Sequence, residues 1–185
     1  MSMITLASSS PRRKDLLEKL FKEIEIVYPD VDESILEFES APNMVLRLSK
    51  MKATSIKRDN IVIGADTTVE IEGKILGKPK DEFEAYEMLK LLSGKWHTVH
   101  TGICATLKDK IINFVESTRV KFYVLDDETI NNYIKTGSPM DKAGAYGIQE
   151  DLGMILVERI EGDFFTIIGL PVSRLWWEMK ENHFI

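Results

Sequence analysis

The segment Ser8-Ser9-Ser10-Pro11-Arg12-Arg13 places three hydroxyls, a proline suited to a first helical position and two guanidinium groups side by side. Free N–H groups at a helix start attract anions. Cations in a first helical turn oppose the helix dipole, so two arginines are misplaced there unless something negative sits against them. A phosphate chain would supply that charge, and the arginine fork matches phosphate oxygens. Ser8, Arg12 and Arg13 are therefore candidate phosphate ligands. The other reading is a capped surface helix whose arginines pair with Asp15 or with carboxylates between Asp30 and Glu33.

Asp66 follows Gly64-Ala65 after the short apolar run Ile61-Val62-Ile63. This predicts a central strand that ends in a polar loop carrying Asp66 and Thr67. Ligands gather beyond the carboxyl ends of strands in open α/β sheets, and small residues let a ligand come close. Asp66 there would orient or deprotonate a water, or hold a hydrated Mg²⁺. A turn cap is the alternative. Glu33, with Asp32 behind it, is a second candidate carboxylate for a metal, against a plain solvated acidic loop. Lys52 and Lys78 are candidate cations for phosphate charge, each otherwise an ordinary surface lysine. The Gly73 to Pro79 stretch is no P-loop: its glycine spacing is one residue short, and Pro79 stands where a metal-binding hydroxyl belongs.

The late segment Asp141-Lys142-Ala143-Gly144-Ala145-Tyr146-Gly147-Ile148-Gln149 is dense in small residues. Small residues would let backbone approach a flat ligand. Gln149 offers a donor and an acceptor for a base edge. Tyr146 would either stack in a pocket wall or fill the core. His97 and His100, three apart on a predicted strand, point to opposite faces and make a poor zinc pair.

The elements that must hold these groups alternate between strand and helix. Met3 to Leu6, Glu23 to Val27, His97 to Leu107, Ile111 to Phe122 and Ile155 to Ile160 read as strands, and Val69 to Ile75 as a hairpin. Helices are predicted from Ser10-Pro11 through Leu20, from Ala41 to Lys57, from Asp81 to Leu92, from Asp126 to Lys135, and after Pro171. The fold class is α/β or α+β with a mixed sheet. Residues 1–185 are expected to form one domain, and no repeat or low-complexity linker divides them.

Composition narrows the partners. The 185 residues are 44% hydrophobic and carry a formal net charge of -6, which disfavours a nucleic acid polymer as partner. No apolar run is long enough for a membrane span. The N-terminal residues Met1 to Leu6 carry no basic stretch, so no export signal is expected. The lone Cys104 excludes an internal disulfide, reads as a buried thiol and fits a reducing cytoplasm.

Taken in order, Ser8-Ser9-Ser10-Pro11-Arg12-Arg13, Gly64-Ala65-Asp66-Thr67, Gly77-Lys78-Pro79, Leu92-Ser93-Gly94 with His100-Thr101-Gly102, the Asp141 to Gln149 segment and Gly169-Leu170-Pro171 resemble the Maf family of nucleotide pyrophosphatases. The resemblance covers nearly the whole chain. It implies an elongated α/β mixed-sheet fold with two lobes around a central cleft, like inosine triphosphate pyrophosphatase. It implies hydrolysis of a small-molecule nucleoside triphosphate between the alpha and beta phosphates. A divalent cation would assist, Mg²⁺ first, with Mn²⁺ or Co²⁺ as alternatives. Asp66 matches the family's catalytic aspartate, and Arg12 its phosphate-facing arginine, with Arg13 behind it. Glu33, Lys52 and Lys78 match polar positions around triphosphate and metal, with Glu33 and Asp66 as the metal carboxylates. Asp141, Lys142 and Tyr146 fall in the cleft-lining segment. Arg12, Thr67 and Gln149 match the specificity positions of the dTTP/UTP subgroup. A 7-methyl-GTP pyrophosphatase and a nucleotide-binding regulator of cell division are the alternatives. The family also implies a homodimer, for which Trp176 and Trp177 in the last helix are candidate contacts.

Overall fold

Four buried residues at Ile4–Ala7 form β1, and short apolar runs on either side of it in space complete a parallel core. β1 pairs in parallel with β2 (Ile24–Val27) and β3 (Ile61–Ile71), in registers running from Ile4↔Ile24 and Ile4↔Ile61 to Ala7↔Val27 and Ala7↔Gly64. A computed structural model describes residues 3–185. Residues 1 and 2, part of the stretch read as lacking an export signal, lie outside the described residues. The strand order is β2-β1-β3-β5-β6-β7, with β5 at Trp96–Leu107, β6 at Lys110–Phe122, β7 at Val157–Glu161, and β4 (Lys74–Leu76) on β3. β4 runs antiparallel to β3 and β7 antiparallel to β6, so the sheet is mixed and the class is α/β.

The chain divides into two compact units. The first comprises the residues through Thr67, Thr101–Glu116 and Gly169–Ile185. The second comprises Thr68–His100 and Ser117–Ile168. Strands β3, β5 and β6 each contribute residues to both.

In the first unit, α1 (Pro11–Glu18), α2 (Ala41–Ser55) and α6 (Val172–Glu181) accompany the parallel strands. Ile4, Leu6, Leu17, Ile61, Ile63 and Ile103 are fully buried. Burying each such side chain contributes about 1.5–3 kcal/mol. α1 begins where predicted, with Ser10 as cap and Pro11 at its first turn, but stops at Glu18, short of Leu20. Helix α2 lies with its backbone against two strands. A Cβ on Gly64 would fall 2.4 Å from the Ser49 carbonyl oxygen, and one on Gly102 would fall 2.1 Å from the Val45 carbonyl oxygen. Only glycine admits backbone this close. Cys104 is fully buried, as expected, and burial pushes its thiol up to about 11.

In the second unit, β3 and β4 meet through a two-residue turn, Glu72-Gly73, with φ of 51° and 75°. Positive φ at both positions is the turn that suits hairpin twist. Helices α3 (Glu82–Leu92) and α4 (Asp127–Lys135) are capped by Asp81 and Asp126, which accept from Glu84 N at 2.8 Å and Thr129 N at 2.7 Å. Their apolar faces join Val99, Val120, Phe122, Tyr146 and Leu156 in one core. α5 (Phe164–Ile168) closes the chain's path through this unit. Among the described residues no helix is long and apolar enough to cross a membrane.

Gly102→Ala should lower the unfolding free energy by about 1–3 kcal/mol, the usual cost of forcing extra volume into packed structure. Gly77→Ala is the control, because a Cβ there meets nothing within 4 Å. Urea unfolding of both variants checks this, and equal stability of the two would contradict the packing described for α2.

Candidate active site

The end of β1 and the start of α1 bring the first group of polar side chains together. Ser8 is buried, and its Oγ accepts from the Ser10 backbone N–H at 3.2 Å, which folds the serine run into a tight turn. The Ser8 hydroxyl also accepts from Arg13 Nη1 at 3.0 Å. Arg13 Nη2 donates to Thr67 Oγ1 at 2.9 Å, and Nε donates to the Gly169 carbonyl at 2.9 Å. Three of the five guanidinium N–H groups are thus engaged, all by neutral oxygens. Burial pushes the Arg13 guanidinium below its ordinary pKa, while the charges of Asp66 and Glu33 push it back up. Arg12, in the same turn of α1, is half-buried. No acidic residue stands in that first turn. The Arg13 guanidinium, hydrogen-bonded only to neutral oxygens at a helix start, offers positive charge to an anion.

The second group forms between β3 and α2. The sequence predicts Asp66 in a loop just past a short strand, and the structure corrects this. β3 continues from Ile61 through Ile71, so Asp66 and Thr67 lie inside it. The parallel pairing with β1 does end at Gly64, because β1 stops at Ala7 and the chain turns into α1. Asp66 therefore lies beyond the carboxyl end of β1 while remaining on an extended strand. Gly64 and Ala65 are also recast: the absent side chain at Gly64 makes room for the α2 backbone, not for a ligand.

Side chains two apart on a strand share a face. Asp66 thus projects toward α2 as Gly64 does, and meets Lys52. Lys52 Nζ lies 2.7 Å from Asp66 Oδ1 and 2.9 Å from Glu33 Oε1. The lysine and aspartate side chains are only 8% and 12% exposed, whereas the Glu33 side chain is 57% exposed. Lys52 was one of two lysines read as candidate phosphate cations; its charge is shared by two carboxylates. By the same alternation Thr67 faces the other way, toward Arg13, and its hydroxyl also meets Thr101 Oγ1 at 2.9 Å. A hydroxyl has one donor and two acceptor positions, so Thr67 keeps capacity for one further hydrogen bond.

Asp66 and Glu33 supply hard oxygen donors of the kind Mg²⁺ takes, and that ion needs few protein carboxylates when phosphate oxygens and water complete its shell. The donor set fits such an ion. Among the described residues no group of three or more His, Cys, Asp or Glu could hold a metal by itself.

The remaining sequence candidates belong to the second unit. Lys78 is exposed on the segment after β4. Lys142, read as lining a cleft, is only 6% exposed, and its ammonium is held by the Ser138 carbonyl at 2.6 Å, Asp141 Oδ1 at 2.8 Å and Glu150 Oε2 at 2.8 Å. Asp141 itself is exposed. Tyr146 is a core residue rather than a pocket wall. It is 5% exposed, hydrogen-bonds His97 Nε2 at 2.8 Å and packs edge-on against His97 and Phe122. The small residues of this segment serve the protein's own packing: a Cβ on Gly144 would meet Val69 at 2.8 Å, and one on Gly147 would meet the Lys142 stem at 2.4 Å. Gln149 is half-buried and donates from Nε2 to Glu150 Oε1 at 3.0 Å. His97 and His100 make separate contacts. Burial pushes His97 down to about 4, and His100 Nδ1 meets Ser117 Oγ at 2.8 Å.

Sequence reasoning missed Thr101, the Gly169 carbonyl and Glu150 as partners of the candidate residues. Thr101 and Gly169 stood inside recognised motifs, which was a usable signal. Glu150 lay one residue past the last one.

A family model described as Maf-like protein matches residues 3–182. A dTTP/UTP pyrophosphatase of Thermosipho melanesiensis is 54% identical over 180 residues, covering 96% of this chain and 98% of that protein. A dTTP/UTP pyrophosphatase of Bacillus cereus is 48% identical over 184 residues, covering 98% of this chain and 90% of that protein. A Ham1 protein of Staphylococcus aureus superposes with a TM-score of 0.45 at 15% identity, covering 65% of this chain and 72% of that one, a likeness too slight to carry an argument.

Removing the lysine would leave Asp66 buried without its cation. Lys52→Met should therefore cost about 3 kcal/mol of stability in urea unfolding, the range for breaking a buried ion pair from one side. A loss below about 1 kcal/mol, as for an exposed pair, would contradict this description of the pair.

Proposed function

The chain belongs to the Maf-like protein family, and on that premise we propose that it hydrolyses dTTP and UTP to the nucleoside monophosphate and pyrophosphate. The observation that carries this reading is the Asp66–Lys52–Glu33 cluster, built in the same unit as a helix start that bears two arginines and no acid. Ser8 and Arg12 receive phosphate oxygens. Arg13 holds Ser8 and Thr67 in place and adds its charge to the field. Lys78 and Gln149 take the phosphate-charge and base-reading roles that the family resemblance assigns them.

Asp66 accepts a proton from water as the water attacks the alpha phosphorus, or orients it. The bond from the alpha phosphorus to the bridging oxygen breaks, and pyrophosphate leaves with the electron pair. Negative charge grows on that oxygen, so fixed cations stabilise the transition state more than the ground state. A divalent cation, Mg²⁺ first and Mn²⁺ or Co²⁺ as alternatives, would be held by Asp66 and Glu33 and would withdraw charge from the phosphate oxygens. Lys52 keeps the two carboxylates together and limits their repulsion. The same reading makes the protein a cytoplasmic homodimer. Trp176 stacks on Phe21 within the chain at 5.9 Å between ring centres, whereas Trp177 is 57% exposed and available to a second copy.

Incubation of the purified protein with a panel of nucleoside triphosphates and Mg²⁺ tests the proposal. Pyrophosphate with dTMP or UMP is the expected product pair. Turnover of 7-methyl-GTP alone would overturn the substrate assignment, and tight UTP binding with no turnover would favour a regulator. Asp66→Asn should lower kcat by about 100-fold or more, the scale of a lost general base, with UTP affinity nearly unchanged. Equal losses in turnover and binding would contradict a catalytic role for Asp66.

A further inference from the structure

Gln149 does not stand alone. Its Nε2 lies 3.0 Å from Glu150 Oε1, and the other oxygen of that carboxylate lies 2.8 Å from Lys142 Nζ. Lys142 is buried and pinned by the Ser138 carbonyl and Asp141, and Gly147 leaves open the space that its stem fills. The row Lys142, Glu150, Gln149 is therefore anchored at its buried end.

A carboxylate paired with an ammonium only accepts hydrogen bonds. Its partner on Gln149 must be the NH₂ end of the amide, so the amide orientation follows from chemistry and not from shape. Among the described residues the Gln149 carbonyl oxygen receives no hydrogen bond, and it is not sealed in the interior. The amide thus offers a free acceptor and one remaining N–H donor, in a fixed arrangement.

That arrangement discriminates between pyrimidines. Uracil and thymine present an N–H at ring position three, flanked by carbonyl oxygens. A fixed Gln149 accepts from that N–H and donates to a neighbouring carbonyl. Cytosine presents a bare ring nitrogen beside an amino group. An amide free to make a half-turn would satisfy it equally well, whereas a fixed one meets acceptor with acceptor.

We infer that Glu150 is a positioning residue that sets base selectivity by holding the Gln149 amide one way round, with Lys142 as its anchor. The inference rests on the reading of Gln149 as the base-contacting residue. Glu150→Gln tests it, because the variant keeps the size of the side chain but supplies an amide that donates as well as accepts. The measurement is kcat/KM for UTP and for CTP in the unaltered protein, in Glu150→Gln and in Gln149→Ala. The expected result is a preference for UTP over CTP that falls about tenfold in Glu150→Gln, the scale of one mispaired hydrogen bond. A purely structural role would lower both substrates together and leave their ratio alone. An unchanged ratio in Glu150→Gln, with a reduced one in Gln149→Ala, would overturn the inference and keep Gln149 as the base reader. Unchanged ratios in both would overturn the inference and that reading together. An unaltered protein that uses CTP as readily as UTP would contradict the inference at the outset.

Discussion

Backbone lying on backbone is the contact from which the Asp66 cluster follows. Helix α2 rests on β3 at Gly64 and on β5 at Gly102, where added carbons would fall within 2.4 Å of its carbonyl oxygens. That proximity brings the helix face of Ser49, Lys52 and Ala53 onto the strand face of Gly64 and Asp66. A helix held farther out by side chains would leave the Lys52 ammonium too far from Asp66 for the 2.7 Å contact. Glu33 reaches the same ammonium from a loop, so one lysine gathers carboxylates from two parts of the chain. The desolvation this entails is offset only while all three charges stay together.

Arg13 plays the corresponding part at the start of α1. It contacts Ser8 from the β1 end, Thr67 from β3 and the Gly169 carbonyl before α6. Neutral acceptors fix its geometry without cancelling its charge. The cost is local: a cation at a helix start opposes the dipole and is partly desolvated. A structure that retains such a cost has charge to offer a ligand, and the triphosphate of the proposed substrates is the complementary charge.

Much of this was legible in the residue order. Apolar periodicity and turn chemistry place the strands and helices close to where they stand, because propensity and burial agree there. Asp66 was misplaced because Gly64 reads locally as a strand end. A glycine within a strand equally marks another backbone coming near, and only the three-dimensional position of α2 decides between the two. The family resemblance puts Tyr146 and Lys142 in a cleft-lining segment, and the small residues around them are compatible with a ligand's approach. The structure uses that smallness to admit Val69 and the Lys142 stem. The Lys52–Asp66–Glu33 cluster joins residues far apart in sequence, and no local spacing announces it. Glu150 lies one residue past the Asp141 to Gln149 segment, and its contacts with Gln149 and Lys142 are not encoded in a one-dimensional pattern.

In the proposed reaction a water directed by Asp66 attacks the alpha phosphorus, and pyrophosphate is the leaving group. Hydrolysis of UTP in water enriched in heavy oxygen, with mass analysis of both products, tests this most directly. Attack at the alpha phosphorus puts one labelled oxygen in UMP and none in the pyrophosphate. Label in the pyrophosphate would place the attack at the beta phosphorus and contradict the mechanism assigned to Asp66.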